Sequence, residues 1–250
     1  MLKGFLGPIA GGAQSWFPAG APFVPLATAI VVSLLLGAPS VTRGEEAKSK
    51  EDISAQEQLV GKAKMTFDRF LADRTTKAWY RKEARKVTAV FIVPQFLRGA
   101  FIVGAAGGSG VLLARDFVKG GWSPPAFYRM STASIGAQAG ADSSEVVLLV
   151  LTQAGLERFH GTGTFRLGLD AGMTVGSLSD GGVDGVDVIS FAWSKGVFAG
   201  MSFDGVGITA APGDNHAYYG KAVEPDQIFK GAVTNAQADE LRTAVSRMIR

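Results

Sequence analysis

Between residues 87 and 151 the chain carries five short apolar runs separated by glycine-rich or proline-containing segments: Val87-Thr-Ala-Val-Phe-Ile-Val93, Ala100-Phe-Ile-Val103, Val111-Leu-Leu-Ala114, Ala126-Phe-Tyr-Arg-Met130 and Val146-Val-Leu-Leu-Val-Leu151. Runs of β-branched and aromatic residues bounded by turn residues are typical of β-strands. Because no segment long enough for an ordinary helix separates them, crossover connections and a parallel sheet are disfavoured. The pattern predicts an α+β fold on a glycine-rich antiparallel β-sheet that curls toward a barrel or sandwich.

Two further strands and a helix are predicted toward the C-terminus. The run Val186-Asp-Val-Ile-Ser-Phe-Ala-Trp193 alternates in polarity, and a second run, 197–203, follows Lys195-Gly196, which predicts a hairpin. Thr234 or Asn235 can cap a closing helix. Its apolar stripe is expected to pack that helix on the sheet and consists of Ala238, Leu241, Ala244, Val245, Met248 and Ile249.

Upstream of the strands, apolar residues recur at intervals of three and four, which predicts an amphipathic helix. The positions are Leu59, Val60, Ala63, Phe67, Phe70 and Leu71. A second short segment, 77–86, adds basic residues around Trp79 and Tyr80. The sheet is therefore expected to be preceded by basic amphipathic helices.

Composition sets limits on the chemistry. The 250 residues are 47% hydrophobic, which is enough for a sizeable core and excludes a fully disordered chain. With no Cys, disulfides, thiolate metal sites and thiol catalysis are excluded. The two histidines, His160 and His216, leave little for a zinc site, while 33 Gly indicate many tight turns.

Charge is distributed unevenly along the chain. The whole sequence has a formal charge of only +3, but residues 62–86 hold nine Lys or Arg against three acids. Residues 101–250 hold eleven basic residues against fourteen acids. Glycine has the opposite distribution along the chain, because none occurs from Lys62 to Arg98. The positive charge is therefore concentrated in the predicted helices.

The N-terminal 40 residues contain the one long apolar run, Leu26 to Leu36, followed by a small-x-small sequence at Ala38-Pro39-Ser40. The run is too short to span a bilayer, for which about 20 residues are needed. Residues 1–40 are predicted to be a secretory signal peptide, with an uncleaved N-terminal anchor or a mis-assigned start codon as alternatives. Residues 41–58 are charged and are expected to form a solvated leader.

Other motifs carry weaker chemical signals. Gly104-Ala-Ala-Gly-Gly-Ser-Gly110 lacks the Lys-Ser/Thr ending of a phosphate loop and is interpreted as a turn between adjacent strands. No nucleophile elbow occurs, and only Asp214 lies beside a histidine, His216. The acidic turn 180–187 lacks the alternating oxygen ligands of a calcium loop and favours a solvated hairpin.

Residues 62–86, which combine basic side chains with Trp79 and Tyr80, are the hardest feature to explain by folding alone. It can be an ordinary solvated helix face. It can also contact anionic lipid, with Lys and Arg near the headgroups and an aromatic ring at headgroup level. Nucleic acid would use the same charges but is disfavoured for an exported chain. The predicted lipid-binding residues are Lys62, Lys64, Arg69, Arg74, Lys77, Trp79, Arg81, Lys82, Arg85 and Lys86, with Trp79 as the interfacial anchor.

Several strings in the sequence resemble the SYLF domain family. They are Ala100-Phe-Ile-Val-Gly104, Gly110-Val-Leu-Leu-Ala-Arg115, Gly121-Trp-Ser-Pro-Pro-Ala-Phe127, Ser134-Ile-Gly-Ala-Gln-Ala-Gly140, Gly168-Leu-Asp-Ala-Gly172, Ser194-Lys-Gly-Val-Phe-Ala-Gly-Met-Ser202 and Asn215-His-Ala-Tyr-Tyr-Gly-Lys221. The resemblance covers residues 59–250 approximately. It implies a non-enzymatic domain that binds membrane lipid, phosphoinositides in animal and plant members, partly through a basic amphipathic helix. For some fungal members it implies actin binding.

We therefore expect an exported, periplasmic or membrane-associated protein that binds anionic phospholipid. No cofactor or metal is required for this function. The first alternative is a protein-interaction or scaffolding module of the cell envelope that uses the same helix. The second is an enzyme built around the glycine run or His216. Headgroup specificity and oligomeric state stay open.

Overall fold

The computed structural model describes residues 41–100, 103–135, 140–169, 173–177, 185–194, 197–199, 203 and 205–249. The chain divides into two units, Met1–Pro39 and Ser40–Arg250, and all described residues belong to the second. The predicted signal or anchor segment, 1–40, lies outside the described residues. None of the described helices combines the length and the hydropathy needed to cross a membrane.

Within the described residues, the second unit contains helices at both ends and nine strands between them. The helices are α1 (Val41–Ala72), α2 (Arg74–Glu83), α3 (Gln153–Glu157), α4 (Pro212–Tyr219), α5 (Pro225–Phe229) and α6 (Asp239–Ser246), with 3-10 turns at Ala84–Lys86 and Ala236–Ala238. The strands are β1 (Ala89–Ala100), β2 (Val103–Ala114), β3 (Ala126–Ile135), β4 (Gly140–Val150), β5 (Thr164–Arg166), β6 (Val175–Ser177), β7 (Val188–Ser194), β8 (Val197–Ala199) and β9 (Gly207–Ala210).

All nine strands belong to one curled sheet. Eight of them lie in the order β5-β9-β3-β2-β1-β4-β7-β6, and β8 pairs with β7. Every pair is antiparallel except β6 with β7, which is parallel. The β7–β8 pairing of Ser194 with Val197 confirms the predicted hairpin. The predicted α+β class with a curled, mainly antiparallel sheet is therefore confirmed.

Both faces of the central strands are buried. In β1, Phe91 and Val93 contribute to the core on one face of the sheet, while Val90 and Ile92 contribute to the core under α1 and α6. Successive side chains of a strand point to opposite faces, so a strand covered on both sides needs apolar residues throughout. This explains the continuous apolar runs of β1 and β4.

The terminal helices pack through the stripes that their spacing predicts. In α1, Val60, Ala63, Phe67 and Phe70 are at most 2% exposed. Leu241, Ala244 and Val245 are buried in α6, and Met248 is buried just after it. Asn235 caps the preceding 3-10 turn by accepting a hydrogen bond from the Gln237 amide at 3.0 Å. Residues 41–58, expected as a solvated leader, are helical and form the first part of α1.

The glycine run 104–110 is part of a strand, so its interpretation as a turn is wrong. β2 pairs with β1 on one side and with β3 on the other. An added Cβ on Gly110 would lie 2.5 Å from the Ile92 carbonyl oxygen, and one on Gly108 would lie 2.2 Å from that of Gln95. These glycines allow the bulged part of β1 to lie against β2.

The first strand is also longer than its sequence predicts. Its apolar run ends at Pro94, but β1 continues to Ala100. The register toward β4 shifts between Val93 and Phe96, so the proline lies within an irregular stretch of the pairing. A proline, which has no N–H to donate, is tolerated at such a position.

Candidate functional site

The site is built on α2, which begins at a side-chain cap. Asp73 accepts hydrogen bonds from the amides of Thr75 and Thr76 at 2.9 and 3.1 Å. A carboxylate at this position satisfies amides that have no partner within the helix and complements the positive end of the helix dipole. This cap fixes where α2 turns away from the end of α1.

The inner face of α2 holds the helix against the rest of the domain. Thr76 is buried and donates its hydroxyl to the Phe70 carbonyl, while the Tyr80 hydroxyl donates to the Leu71 carbonyl at 3.2 Å. Ala84, in the 3-10 turn after α2, is 3% exposed. Hydrogen bonds and apolar contacts therefore fix the orientation of α2 about its own axis.

The opposite face of α2 is cationic. We call it the α2 cationic face; all its side chains belong to exposed residues, namely Arg74, Lys77, Arg81, Lys82 and Arg85. Apart from the adjacent Arg81 and Lys82, successive members are three or four residues apart, which places them on one side of the helix and the turn after it. Within the described residues, none of them forms an ion pair with a carboxylate. The fold therefore brings five of the predicted site residues together.

The other four predicted cations are arranged differently. Lys64 pairs with Asp68 at 3.0 Å, and Lys86 pairs with Glu83 at 2.9 Å. Arg69 pairs with Glu145 of β4, although about half of the arginine side chain stays exposed. The remaining cation, Lys62, is exposed on α1. Three of these four charges are therefore partly neutralised within the domain.

Trp79 is half-buried and packs on the sheet. Its ring lies 5.5 Å from the ring of Phe191 at an interplanar angle of 66°. Edge-to-face pairs of this kind stabilise a core beyond their buried area. The indole therefore helps to dock α2, and its predicted insertion at headgroup level stays a prediction.

Two grooves lie between α1 and the sheet. One, of about 400 Å³, is lined by Lys62, Arg69, Glu145 and neighbouring residues. The other, of about 430 Å³, is also lined by Lys62 and extends to Asp214. Neither groove is lined by a histidine.

His216 and Asp214, which are close in the sequence, do not form a catalytic pair. His216 is exposed on α4, and the neighbouring Asp214 accepts a hydrogen bond from Gln56 at 2.9 Å instead. The second histidine, His160, lies 2.8 Å from Asp226 through Nδ1. Hydrogen bonds from Lys230 and then His160 lower the pKa of Asp226. This group links α5 to the turn after α3.

The acidic turn is only partly described. Residues 178–184 lie outside the described residues, whereas Asp187 accepts hydrogen bonds from the Thr152 hydroxyl and from the Thr174 amide, the latter at 2.8 Å. Within the described part of the chain, no three His, Asp or Glu side chains are grouped as metal ligands would be. Asp187 therefore has a structural role.

The Trp-Ser-Pro-Pro-Ala-Phe string forms a corner that α4 and α6 hold in place. Asn215 accepts from the Phe127 amide at 2.9 Å, and the Tyr219 hydroxyl donates to the Pro125 carbonyl at 2.7 Å. Burial raises the pKa of Tyr219, which keeps its hydroxyl protonated as a donor. Arg242 donates to the Trp122 carbonyl at 2.9 Å. The string and the Asn215 segment are therefore structural partners of each other.

One exposed feature near the α2 cationic face was not identified from the sequence. The turn between β2 and β3 exposes Phe117 and Val118, flanked by Arg115 and Lys119. The available signal was an apolar pair, Phe117-Val118, between Asp116 and Lys119 and shortly before Gly120-Gly121. Turn positions usually hold polar residues, so an apolar pair in a turn is an unusual feature of the sequence.

Fold and site together define the class as an α+β binding module. A curled sheet supports a helix whose outer face is cationic, and the histidines are not placed for catalysis with Asp214. Residues 131–248 match the family model described as "Ysc84: Las17-binding protein actin regulator". Residues 131–248 therefore match the Ysc84/SYLF family. The α2 cationic face precedes the matched residues.

Curated relatives agree with this assignment. The chain is 28% identical to "Protein YSC84" of Saccharomyces cerevisiae over 174 residues, which is 66% of this chain and 36% of that protein. It is 29% identical over the same length to "LAS seventeen-binding protein 3" of that yeast. It is 30% identical to "SH3 domain-containing YSC84-like protein 1" of Bos taurus, over 58% of this chain and 44% of that protein. The chain thus spans less than half the length of these relatives.

Proposed function

We propose that this domain attaches reversibly to anionic phospholipid membranes through the α2 cationic face. The observation that carries the proposal is the division of α2 into two faces. One face is fixed to the domain through Thr76, Trp79 and Tyr80, and the other presents five exposed cations without carboxylate partners in the described structure.

The magnitude of the interaction fits reversible attachment. A Lys or Arg near an anionic leaflet contributes about 1 kcal/mol, so five of them supply several kcal/mol. Arg85 lies eleven positions after Arg74, which corresponds to about 16 Å along the helix and the turn after it. A row of this length contacts several headgroups at once, and the packing of α2 holds the row in place before it binds.

The proposal includes export. An exported domain would meet the anionic lipids of the cell envelope, and the apolar run Leu26 to Leu36 with its small-x-small sequence supports this location. N-terminal sequencing of the protein recovered from its native cells tests whether the predicted signal peptide is cleaved. A start near Val41 supports cleavage of a signal, whereas an intact N-terminus contradicts it.

The rival function is docking on a protein. It is favoured by the names of the yeast relatives, one of which is a "LAS seventeen-binding protein". An acidic protein surface can neutralise the same five cations. The two functions differ in the partner that is sufficient for binding, because pure lipid vesicles contain no protein.

Co-sedimentation with vesicles tests the proposal. We expect the domain to sediment with phosphatidylglycerol-containing vesicles and to stay in solution with pure phosphatidylcholine vesicles. Binding should weaken as added salt shortens the screening length from about 10 Å at 0.1 M toward about 3 Å at 1 M. Equal binding to both vesicle types, or no sedimentation with anionic vesicles at low salt, would overturn the proposal.

A further inference from the structure

The turn between β2 and β3, residues 115–121, exposes two large apolar side chains side by side. Val118 is 95% exposed and Phe117 is 58% exposed. Single exposed apolar residues are common on protein surfaces, but an adjacent pair at the tip of a turn is unusual because turn positions favour small polar residues. The tip therefore has the composition of a contact surface.

Hydrogen bonds within the turn fix its shape. The Asp116 carboxylate accepts from the amides of Val118 and Lys119 at 2.9 and 2.8 Å, and the Asp116 amide donates to the Gly121 carbonyl at 3.1 Å. Gly120 and Gly121 adopt φ values of 75° and 95°, which side chains rarely allow. The apolar pair is thus presented by a preorganised turn, and little ordering is needed when it binds.

The tip lies beside the α2 cationic face. The Arg115 guanidinium donates to the Arg85 carbonyl at 3.1 Å, which links the turn directly to the end of that face. The same guanidinium lies 4.6 Å from the centre of the Phe117 ring. Ala89, which opens β1 after α2, pairs with Ala114 at the start of the turn. Cations and apolar tip therefore share one end of the sheet.

We infer that Phe117 and Val118 insert into the headgroup region of the anionic bilayer that the α2 cationic face contacts. The inference rests on the proposed function and adds an apolar anchor to its electrostatic contacts. A bilayer suits both features, because its phosphates complement Arg85 and Lys119 while the layer beneath them accepts apolar side chains. The Asp116 carboxylate, within the turn, accepts hydrogen bonds from the amides of Val118 and Lys119.

Site-specific labelling tests insertion directly, because the chain contains no Cys. Val118→Cys carries a single environment-sensitive fluorophore such as NBD, and Leu169→Cys carries the same label as the control. Leu169 is 64% exposed and follows β5. The last residue of β5 pairs with Gly207 of β9, and Gly207 pairs with Ser131 of β3. This part of β3 lies toward the end of the strand that is farther from the turn. With phosphatidylglycerol-containing vesicles, we expect a blue shift and increased emission at position 118 only.

The outcomes separate this inference from the proposed function. If both labelled proteins sediment with anionic vesicles and neither label responds, insertion is overturned and electrostatic attachment stands. If the unlabelled wild-type chain does not sediment, the proposed function fails and the inference fails with it. If the label at position 118 responds and the one at 169 does not, insertion is supported.

A paired substitution gives an independent readout. We expect the double variant Phe117→Ser, Val118→Ser to bind vesicles about tenfold more weakly in the sedimentation assay. The wild-type chain gains free energy by transferring two apolar side chains from water to the bilayer, and the variant does not. Leu169→Ser should leave sedimentation unchanged. Thermal unfolding of each variant shows whether the domain is intact. Unchanged sedimentation of a folded Phe117→Ser, Val118→Ser variant would overturn the inference.

Discussion

Gly110 shows how one missing side chain lets two strands approach. Its absent Cβ would lie 2.5 Å from the Ile92 carbonyl oxygen and 2.8 Å from Cε2 of Phe91, both in β1. Neither atom is the free end of a flexible surface side chain, so neither moves away easily. The close approach is a property of the packed sheet, and the local sequence 104–110 does not reveal it.

Gly110→Ala is expected to lower the free energy of unfolding by about 1–3 kcal/mol, as overpacking in a core does. Gly99→Ala, in β1, has no atom within 4 Å of the added methyl group and should change stability by less than about 0.5 kcal/mol. Denaturant unfolding of both variants provides the measurement. Equal stability of the two variants would contradict the described contact between β1 and β2.

At the scale of elements, Asn215 holds α4 on the start of β3. It is fully buried, and its side-chain oxygen accepts from the Phe127 amide at 2.9 Å. Asn215→Ala leaves that amide without a partner and should cost about 1–3 kcal/mol of unfolding free energy. His216→Ala, an exposed position on the same helix, should cost less than about 0.5 kcal/mol. Thermal unfolding compares the two, and a larger loss for His216→Ala would contradict the structural role of Asn215.

The elements differ in how far their sequences predict them. The stripes of α1 and α6 were predictable, because a helix packed on one side requires apolar residues at intervals of three and four. The helical start of α1 at Val41 was not, since a charged segment carries no apolar period. The continuation of β1 beyond Pro94 depends on its pairing with β2 and β4, which local sequence does not encode.

At the scale of the whole molecule, the fold sorts the cations that the sequence presents as one group. The composition of residues 62–86 predicted nine basic site residues. Arg69 is partly neutralised by Glu145, which is distant in sequence, and Asp68 contacts both Lys64 and Arg247. The Arg69–Glu145 and Arg247–Asp68 pairings arise from tertiary structure, so the sequence alone did not reveal them, whereas Lys64–Asp68 is an i,i+4 pair that helical spacing predicts.

Tertiary structure also explains why the exposed turn at Phe117 was not identified from the sequence. Its relation to α2 is created by the pairing of β1 with β2 and by the hydrogen bond from Arg115 to the Arg85 carbonyl. Thirty residues separate these two arginines along the chain. Local sequence patterns do not reveal that Arg115 and Arg85 are in contact, because the contact is created by the fold.

Two charge-matched double variants test whether the position of the cations, rather than net charge, determines membrane attachment. Lys77→Glu with Arg81→Glu alters the α2 cationic face, whereas Arg98→Glu with Lys221→Glu alters exposed positions elsewhere. Each substitution lowers the charge by two, so both variants change the formal charge from +3 to −1. Thermal unfolding should be nearly unchanged in both, because surface substitutions cost little.

The decisive measurement is the fraction of each variant that sediments with phosphatidylglycerol-containing vesicles at low salt. We expect Lys77→Glu with Arg81→Glu to weaken binding by at least about tenfold, since two favourable contacts become repulsive. Arg98→Glu with Lys221→Glu should bind nearly as well as the wild-type chain. Equal binding by the two variants would contradict the assignment of membrane attachment to the outer face of α2.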